Sequence, residues 1–333
     1  MKLRSHPGRI VLFIPFLLSL LVLTISRFSV FFSSLRAGSF IGQIGQSIRL
    51  PQPDRFSAAI MGDCRGNTEA MEKILLDAKS KADFALILGD LVFKGETADY
   101  QFLVQELNEV QGNFPVYPAI GNHDLAPGGG HQLYESVFGS RHYWLKAGAA
   151  LLVVIDNVEG KEFDAEMKWM DQALKTEAGG AQLIFLMMHE PPYVLYQGKP
   201  HSLSLEETGR LMEVVHRYPV SAIFSSHIHD YMSYQYEGIP VYITGEAGAP
   251  QKKDIPNYGY LLLRVQDGRY RVERVALGNI SDRDRLERIL LVKCYGFWPA
   301  LTIGLLLLPL LLILKRGCRK DRSSGNQDGI ISF

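Results

Sequence analysis

The chain carries no net charge, with 35 lysines and arginines against 35 aspartates and glutamates in 333 residues. No global field therefore points to nucleic acid or to an acidic partner. Cysteine is scarce: Cys64, Cys294 and Cys318 are too few and too scattered for a disulfide framework or a cysteine-based zinc site. No internal repeat is present, and no low-complexity tract occurs before the polar tail after Lys315, which excludes a repeat architecture. At 47% hydrophobic and 21% charged, the chain has room for one domain of roughly 200 to 250 residues plus further segments.

Both ends are apolar and flanked by basic residues. Residues 1–9, with Lys2, Arg4, His6 and Arg9, read as a cytoplasmic flank. Residues 10–32, where Arg27 is the single charge, read as a transmembrane helix or signal anchor, and a cleaved signal peptide has the same polarity. Residues 33–51 read as a linker and 279–293 as a juxtamembrane segment. The uncharged run 294–314 is long enough at 1.5 Å per residue to cross a core of roughly 30 Å, with Tyr295 and Trp298 at interfacial positions. A buried globular helix is the alternative, but such a helix is rarely apolar on every face. Residues 315–333 form a basic, polar tail. Positive charge at both extremes predicts two passes through the cell membrane, both termini cytoplasmic and the intervening domain on the far side.

Residues 52–278 read as an α/β domain. The runs Phe56 to Met61, Phe84 to Leu88, Val116 to Ile120, Leu151 to Ile155, Leu183 to Met188 and Val220 to Ser225 suit strands buried on both faces. Helical spacing fills the intervals: Met71, Ile74, Leu75 and Ala78 after the capping candidates Asn67 and Thr68, then Phe102 to Val110, Met167 to Leu174 and Leu211 to Val215. Past His229 the pattern is strand without long helices, with a hairpin signal at Gln266-Asp267-Gly268-Arg269.

Five of these runs end in metal-binding residue types: Gly62-Asp63, Gly89-Asp90, Gly121-Asn122-His123-Asp124, His189, and His227-Ile228-His229. In open α/β sheets ligands collect beyond the carboxyl ends of strands, so these endings predict one dinuclear metal centre. Asp90 can bridge two ions, Asn122 offers a carbonyl oxygen, and His189, His227 and His229 offer imidazoles. His227 and His229 project to the same side if the backbone stays extended. The mixed donor set suits manganese, iron or zinc.

In their order and approximate spacing these residues resemble the calcineurin-like metallophosphoesterases, over about residues 55 to 275. The Gly-Asn-His-Asp element is the most specific part. The resemblance implies a four-layer αββα sandwich of two mixed sheets, here with flanking transmembrane helices. It implies that Asp63 and His229 hold one ion, that Asn122, His189 and His227 hold the other, and that Asp90 bridges. It makes His123 the proton donor, with Asp124 orienting its ring.

Two positions depart from the family pattern. Where the first motif usually has Asp-x-His, this chain has Asp63-Cys64-Arg65, and a guanidinium does not coordinate a cation. Where the purple acid phosphatase branch has a tyrosine three residues beyond the second aspartate, this chain has Phe93. The first site is left with Asp63, Asp90 and His229 and is expected to be the weaker. Arg65 either clamps substrate phosphate or pairs outward with a carboxylate. Cys64 reads as a small buried filler. The stretch Pro127 to His131 either borders substrate or is an ordinary loop, and Tyr193 is a candidate for the pocket wall. His142, His201 and His216 read as structural or solvent-exposed.

The reaction these residues imply is hydrolysis of a phosphate mono- or diester by metal-activated water. The anchors suggest a lipid-linked or cell-envelope substrate, with the bilayer as standing partner. The alternative is a non-catalytic phosphate- or metal-binding scaffold whose first metal site has decayed; the retained His123 argues against it.

Overall fold

The structure is a computed structural model that describes residues 20–21, 44–45, 47–50, 55–125, 130–158 and 162–280. The two runs expected to span a membrane, 10–32 and 294–314, lie outside the described residues except for residues 20 and 21, as does the tail 315–333. Among the described residues no helix is long and apolar enough to cross a membrane.

In chain order the first half contains β1 (Ser47–Leu50), β2 (Arg55–Met61), α1 (Thr68–Ala78), β3 (Phe84–Leu88), α2 (Thr97–Gln111), β4 (Val116–Ala119), α3 (Gln132–Phe138), β5 (Tyr143–Ala147) and β6 (Ala150–Val154). The second half contains α4 (Phe163–Glu177), β7 (Leu183–Met187), β8 (Leu195–Tyr196), β9 (Lys199–Pro200), α5 (Leu205–Val215), β10 (Val220–Ser225), β11 (Tyr231–Tyr236), β12 (Ile239–Thr244), β13 (Tyr258–Gln266) and β14 (Arg269–Gly278). Four residues of the stretch read as a linker thus form β1.

The helices start where side chains can take up their first N–H groups. Asn67 Oδ1 accepts from Ala70 N at 3.2 Å to cap α1. Ser204 and Glu207 exchange bonds across the first turn of α5. Met71, Ile74, Leu75 and Ala78 share one helical face and are fully buried.

Two mixed sheets result. One has the order β14-β13-β2-β3-β4, with β2, β3 and β4 parallel. The other has the order β1-β5-β6-β7-β10-β12-β11, with β6, β7, β10 and β12 parallel. The strand period of two gives each sheet two apolar faces. Ala58, Ile60, Leu86 and Leu88 of the first sheet pack on Leu152, Phe185, Met187 and Phe224 of the second. Met61 and Ile87 turn outward to α1, α2 and α3, while Val153, Leu186 and Ile223 turn outward to α4 and α5. The layers are helix, sheet, sheet, helix, and the carboxyl ends of the parallel strands in both sheets meet at one end.

Candidate metal centre

The turns that leave these strands are too tight for ordinary side chains. A Cβ on Gly89, at φ +85°, would stand 2.6 Å from His189 Nδ1, and one on Gly121 would stand 2.1 Å from the backbone nitrogen of Asp90. Asp63, Arg65, Asp90 and His227 all hold positive φ, at 59°, 46°, 53° and 67°. For L-residues that region costs about 1 kcal/mol or more each, and such strain concentrates at functional sites.

Three of the expected donors form a triangle. Asn122 Oδ1 is 3.0 Å from His189 Nε2 and 3.1 Å from His227 Nδ1, and the two ring nitrogens are 3.1 Å apart. The tautomer of His189 follows from its other nitrogen, which lies 2.9 Å from the carbonyl of Leu88 and so carries the proton. Its Nε2 then presents a lone pair to the oxygen of Asn122. Burial holds His189 below its ordinary value and, aided by His189 and His201, takes His227 down to about 2, so both rings are neutral near pH 7. With the amide in this orientation two acceptors face each other at 3.0 Å, a contact that a cation between them would satisfy. A spacing near 3 Å is what neighbouring ligands adopt about an ion with bonds of roughly 2.1 Å.

The carboxylates complete the group. Ligand atoms of Asp63, Asp90 and His189 lie within 4.8 Å of one another, and Asp90 Oδ1 is 3.4 Å from His189 Nε2. Asp90 therefore sits between the triangle and Asp63. The buried Oδ1 of Asp63 accepts no hydrogen bond, and its neighbour is His229 Nε2 at 3.5 Å. His229 Nδ1 is 3.0 Å from the carbonyl of Pro250, which leaves Nε2 as a second lone pair aimed at a carboxylate oxygen. Burial takes His229 down to about 4. Burial and the adjacent Asp90 push Asp63 well above the usual carboxylate range. Burial also opposes charge on Asp90, but His189, His123 and Arg65 outweigh it and hold that group low. All six expected ligands thus converge, and the donor chemistry fits divalent cations.

His227 and His229 do not share one direction as an extended backbone would require. The left-handed turn at His227 sends its ring to Asn122 and that of His229 to Asp63. Asp124 also departs from expectation. Its Oδ1 accepts from Val92 N at 3.0 Å and its Oδ2 from Gly121 N at 2.8 Å, so it pins two turns rather than the His123 ring. The ring's Nδ1 lies instead 2.9 Å from the Phe93 carbonyl and 3.1 Å from Arg65 Nη2, and it donates to the first or accepts from the second according to its tautomer. Arg65 points inward, with its guanidinium also over the ring of Phe93.

The pattern of the calcineurin-like phosphoesterases matches residues 56–231, just over half of the chain. The chain belongs to that family. It is similar to a probable cyclic nucleotide phosphodiesterase of Synechococcus, 26% identical over 163 residues that are 44% of this chain and 58% of that protein. It is also similar to a glycerophosphodiester phosphodiesterase of Enterobacter lignolyticus, 26% identical over 188 residues, 51% of this chain and 64% of the relative. The chain thus spans about three-fifths of the length of these relatives. Among solved structures, a purple acid phosphatase from yellow lupin aligns with a TM-score of 0.56 at 13% identity, covering 69% of this chain and 53% of that one.

Within this calcineurin-like phosphoesterase, two residues at the centre escaped sequence reasoning. Asn157, just beyond β6, is buried; its Oδ1 accepts from His189 N at 3.1 Å and Glu190 N at 3.2 Å, and its Nδ2 donates to the Glu190 carbonyl at 2.7 Å. The signal was available, because Leu151 to Ile155 is a sixth apolar run ending in polar residues. His201 is exposed, as expected, but its ring stacks on His227 with centroids 4.5 Å apart. Nothing in the local sequence marks it. His142 packs on Trp169 and pairs with Glu166, His216 pairs with Glu237, and Cys64 fills the helix-side core.

Proposed function

We propose that the protein is a membrane-anchored, metal-dependent phosphohydrolase that cleaves a phosphate mono- or diester. The observation that carries this reading is the convergence of the donor atoms of Asn122, His189 and His227 beside the buried carboxylates of Asp90 and Asp63. Such a set of oxygen and nitrogen donors suits two cations. Asp63 and His229 are assigned to one ion and Asn122, His189 and His227 to the other, with Asp90 shared. Manganese, iron or zinc suits these donors. Bound divalent ions supply charge for the phosphoryl oxygens and make water a stronger nucleophile at neutral pH.

The chain's own groups do the rest. Arg65 offers a planar, two-donor grip on phosphoryl oxygens next to the centre. With His123 Nδ1 accepting from Arg65, the neutral ring carries its proton on Nε2, the atom that gives it to the leaving oxygen. Water adds its hydroxyl to phosphorus as the ester P–O bond breaks, the departing alkoxide takes the His123 proton, and the proton released by the water restores the imidazole. The apolar runs 10–32 and 294–314 anchor the domain, with both termini cytoplasmic, and favour a lipid-linked or cell-envelope substrate.

The test is hydrolysis of an aryl phosphate monoester and diester by the full chain with added manganese. Turnover lost in Asp90→Ala and His123→Ala supports the enzyme. Stoichiometric metal binding without turnover of either ester would overturn it in favour of a scaffold.

A further inference from the structure

The strand directions put a second set of features at the same end as the metal centre. Among the described residues the exposed large hydrophobic side chains are Leu76, Phe93, Leu195, Leu205 and Ile255. Leu76 lies late in α1, away from the centre. The other four lie on segments that follow the carboxyl ends of β3, β7 and β12, the strands that deliver Asp90, His189 and the Gly245 turn packed on Asp63. Leu195 is 52% exposed and Ile255 73%, so much of their apolar surface stays in water. Lys94, Lys199 and Lys252 are exposed on the same loops, with Asp254 beside Ile255 and Glu206 beside Leu205 as exposed acidic neighbours.

The chain also enters and leaves the domain at this end. Ser47 pairs with Trp144 at the start of β5, and Tyr143 pairs with Val154 at the metal-side end of β6. Ile44, beside them, is buried. At the other terminus Gly278 pairs with Tyr258, and Ile280 packs on Tyr258 and Ala70 at the start of α1. Residues 33–43 and 281–293 connect these points to the two apolar runs. Such connections reach at most about 40 and 45 Å when fully extended.

We infer that the rim of the metal centre is a bilayer-docking surface, in which Leu195, Leu205 and Ile255 insert at the interface and Lys94, Lys199 and Lys252 meet anionic headgroups. The substrate class that this surface serves is a phosphoester presented at a lipid surface. Apolar side chains interleaved with lysine suit that partner, since the first gain by leaving water and the second by nearing anionic lipid. The inference rests on the reading of the chain as an anchored phosphohydrolase.

The test uses the full chain in phosphatidylglycerol vesicles with Cys294→Ser and Cys318→Ser; Cys64 is buried and does not label. Leu195→Cys, Ile255→Cys and Leu76→Cys each receive an environment-sensitive fluorophore, and spin-labelled lipid is the quencher. Loss of emission at 195 and 255 but not at 76 supports the docking surface. Equal emission at all three, or loss at 76 alone, overturns it. Aryl phosphodiester turnover by the same vesicles reports on the metal centre separately: turnover with no difference among the labels sinks only the docking, and differential quenching without turnover sinks only the hydrolase.

Discussion

The guanidinium of Arg65 stands 3.1 Å from Nδ1 of His123, joining the residue that departs from the family's first motif to the residue assigned as proton donor. An Asp-x-His motif would spend that position on a metal. Here it spends it on a cation that cannot leave and that faces the same space as the donor.

Replacing Arg65 therefore separates binding from chemistry. Arg65→Ala is expected to lower kcat/KM by about ten- to a hundredfold, the equivalent of one or two charge-assisted hydrogen bonds to phosphate. Arg65→Lys retains the charge without the fork and recovers part of that loss. Steady-state kinetics check both, and an unchanged kcat/KM in Arg65→Ala refutes the clamp.

The two buried carboxylates make opposite demands with and without metal. Asp90→Asn removes the repulsion that raises Asp63 but also the attraction to His189, His123 and Arg65 that holds Asp90 low, so the metal-free variant is expected to stay within about 1 kcal/mol of metal-free wild type. With manganese the two separate, since ligand at a hundred times its Kd adds about 2.7 kcal/mol to the form that binds it. Thermal melts with chelator and with metal read both effects. A metal-induced rise in Tm retained by Asp90→Asn would exclude Asp90 as a ligand.

Asn157 holds the backbone on both sides of His189 through three buried hydrogen bonds. Asn157→Ala is expected to cost about 2 to 3 kcal/mol in stability and to weaken metal binding about tenfold by releasing the His189 ring. Calorimetric metal titration of the folded variant separates the two losses. An unaltered affinity would limit Asn157 to a structural role.

Asp77 provides a pH readout remote from the centre. Although burial pushes it up, Lys81 at 2.8 Å and the Tyr260 hydroxyl at 2.8 Å hold its carboxyl below the usual value. A carboxyl lowered in the folded state stabilises above its unfolded value, near 4, and that contribution is lost as pH falls through the folded value. Asp77→Asn is thus expected to be less stable than wild type at pH 7 and to converge with it at pH 3. The difference stays under about 1 kcal/mol, because the pair lies at the surface, with both side chains partly exposed, and solvent screens it. Urea melts at the two pH values check this.

Strands buried on both faces were legible because a continuous apolar run such as Phe84 to Leu88 leaves little choice of environment. β1 and β5 were not, since neither is a continuous apolar run: Tyr143 to Ala147 alternates between buried and half-exposed positions, and the placing of β1 at the sheet edge depends on pairing across nearly a hundred residues. The candidate donors were legible at Gly62-Asp63, Gly89-Asp90 and Gly121-Asn122 because a tight turn and a donor are both local properties. The roles of Asp124, Arg65 and His201 were not, because each depends on a neighbour distant in the chain.

Residue types and their order determined by themselves which strand ends carry donors, since a run of apolar residues followed by glycine and a metal-binding side chain is a statement about consecutive positions. Where each lone pair points was decided only by the tertiary structure. The left-handed turns at Asp63, Asp90 and His227 are local, but they persist because Ser226, Gly121 and Gly245 pack against them from other strands. Likewise, the orientations of the His189 and His229 rings follow from the carbonyls of Leu88 and Pro250, and no sequence interval specifies that contact.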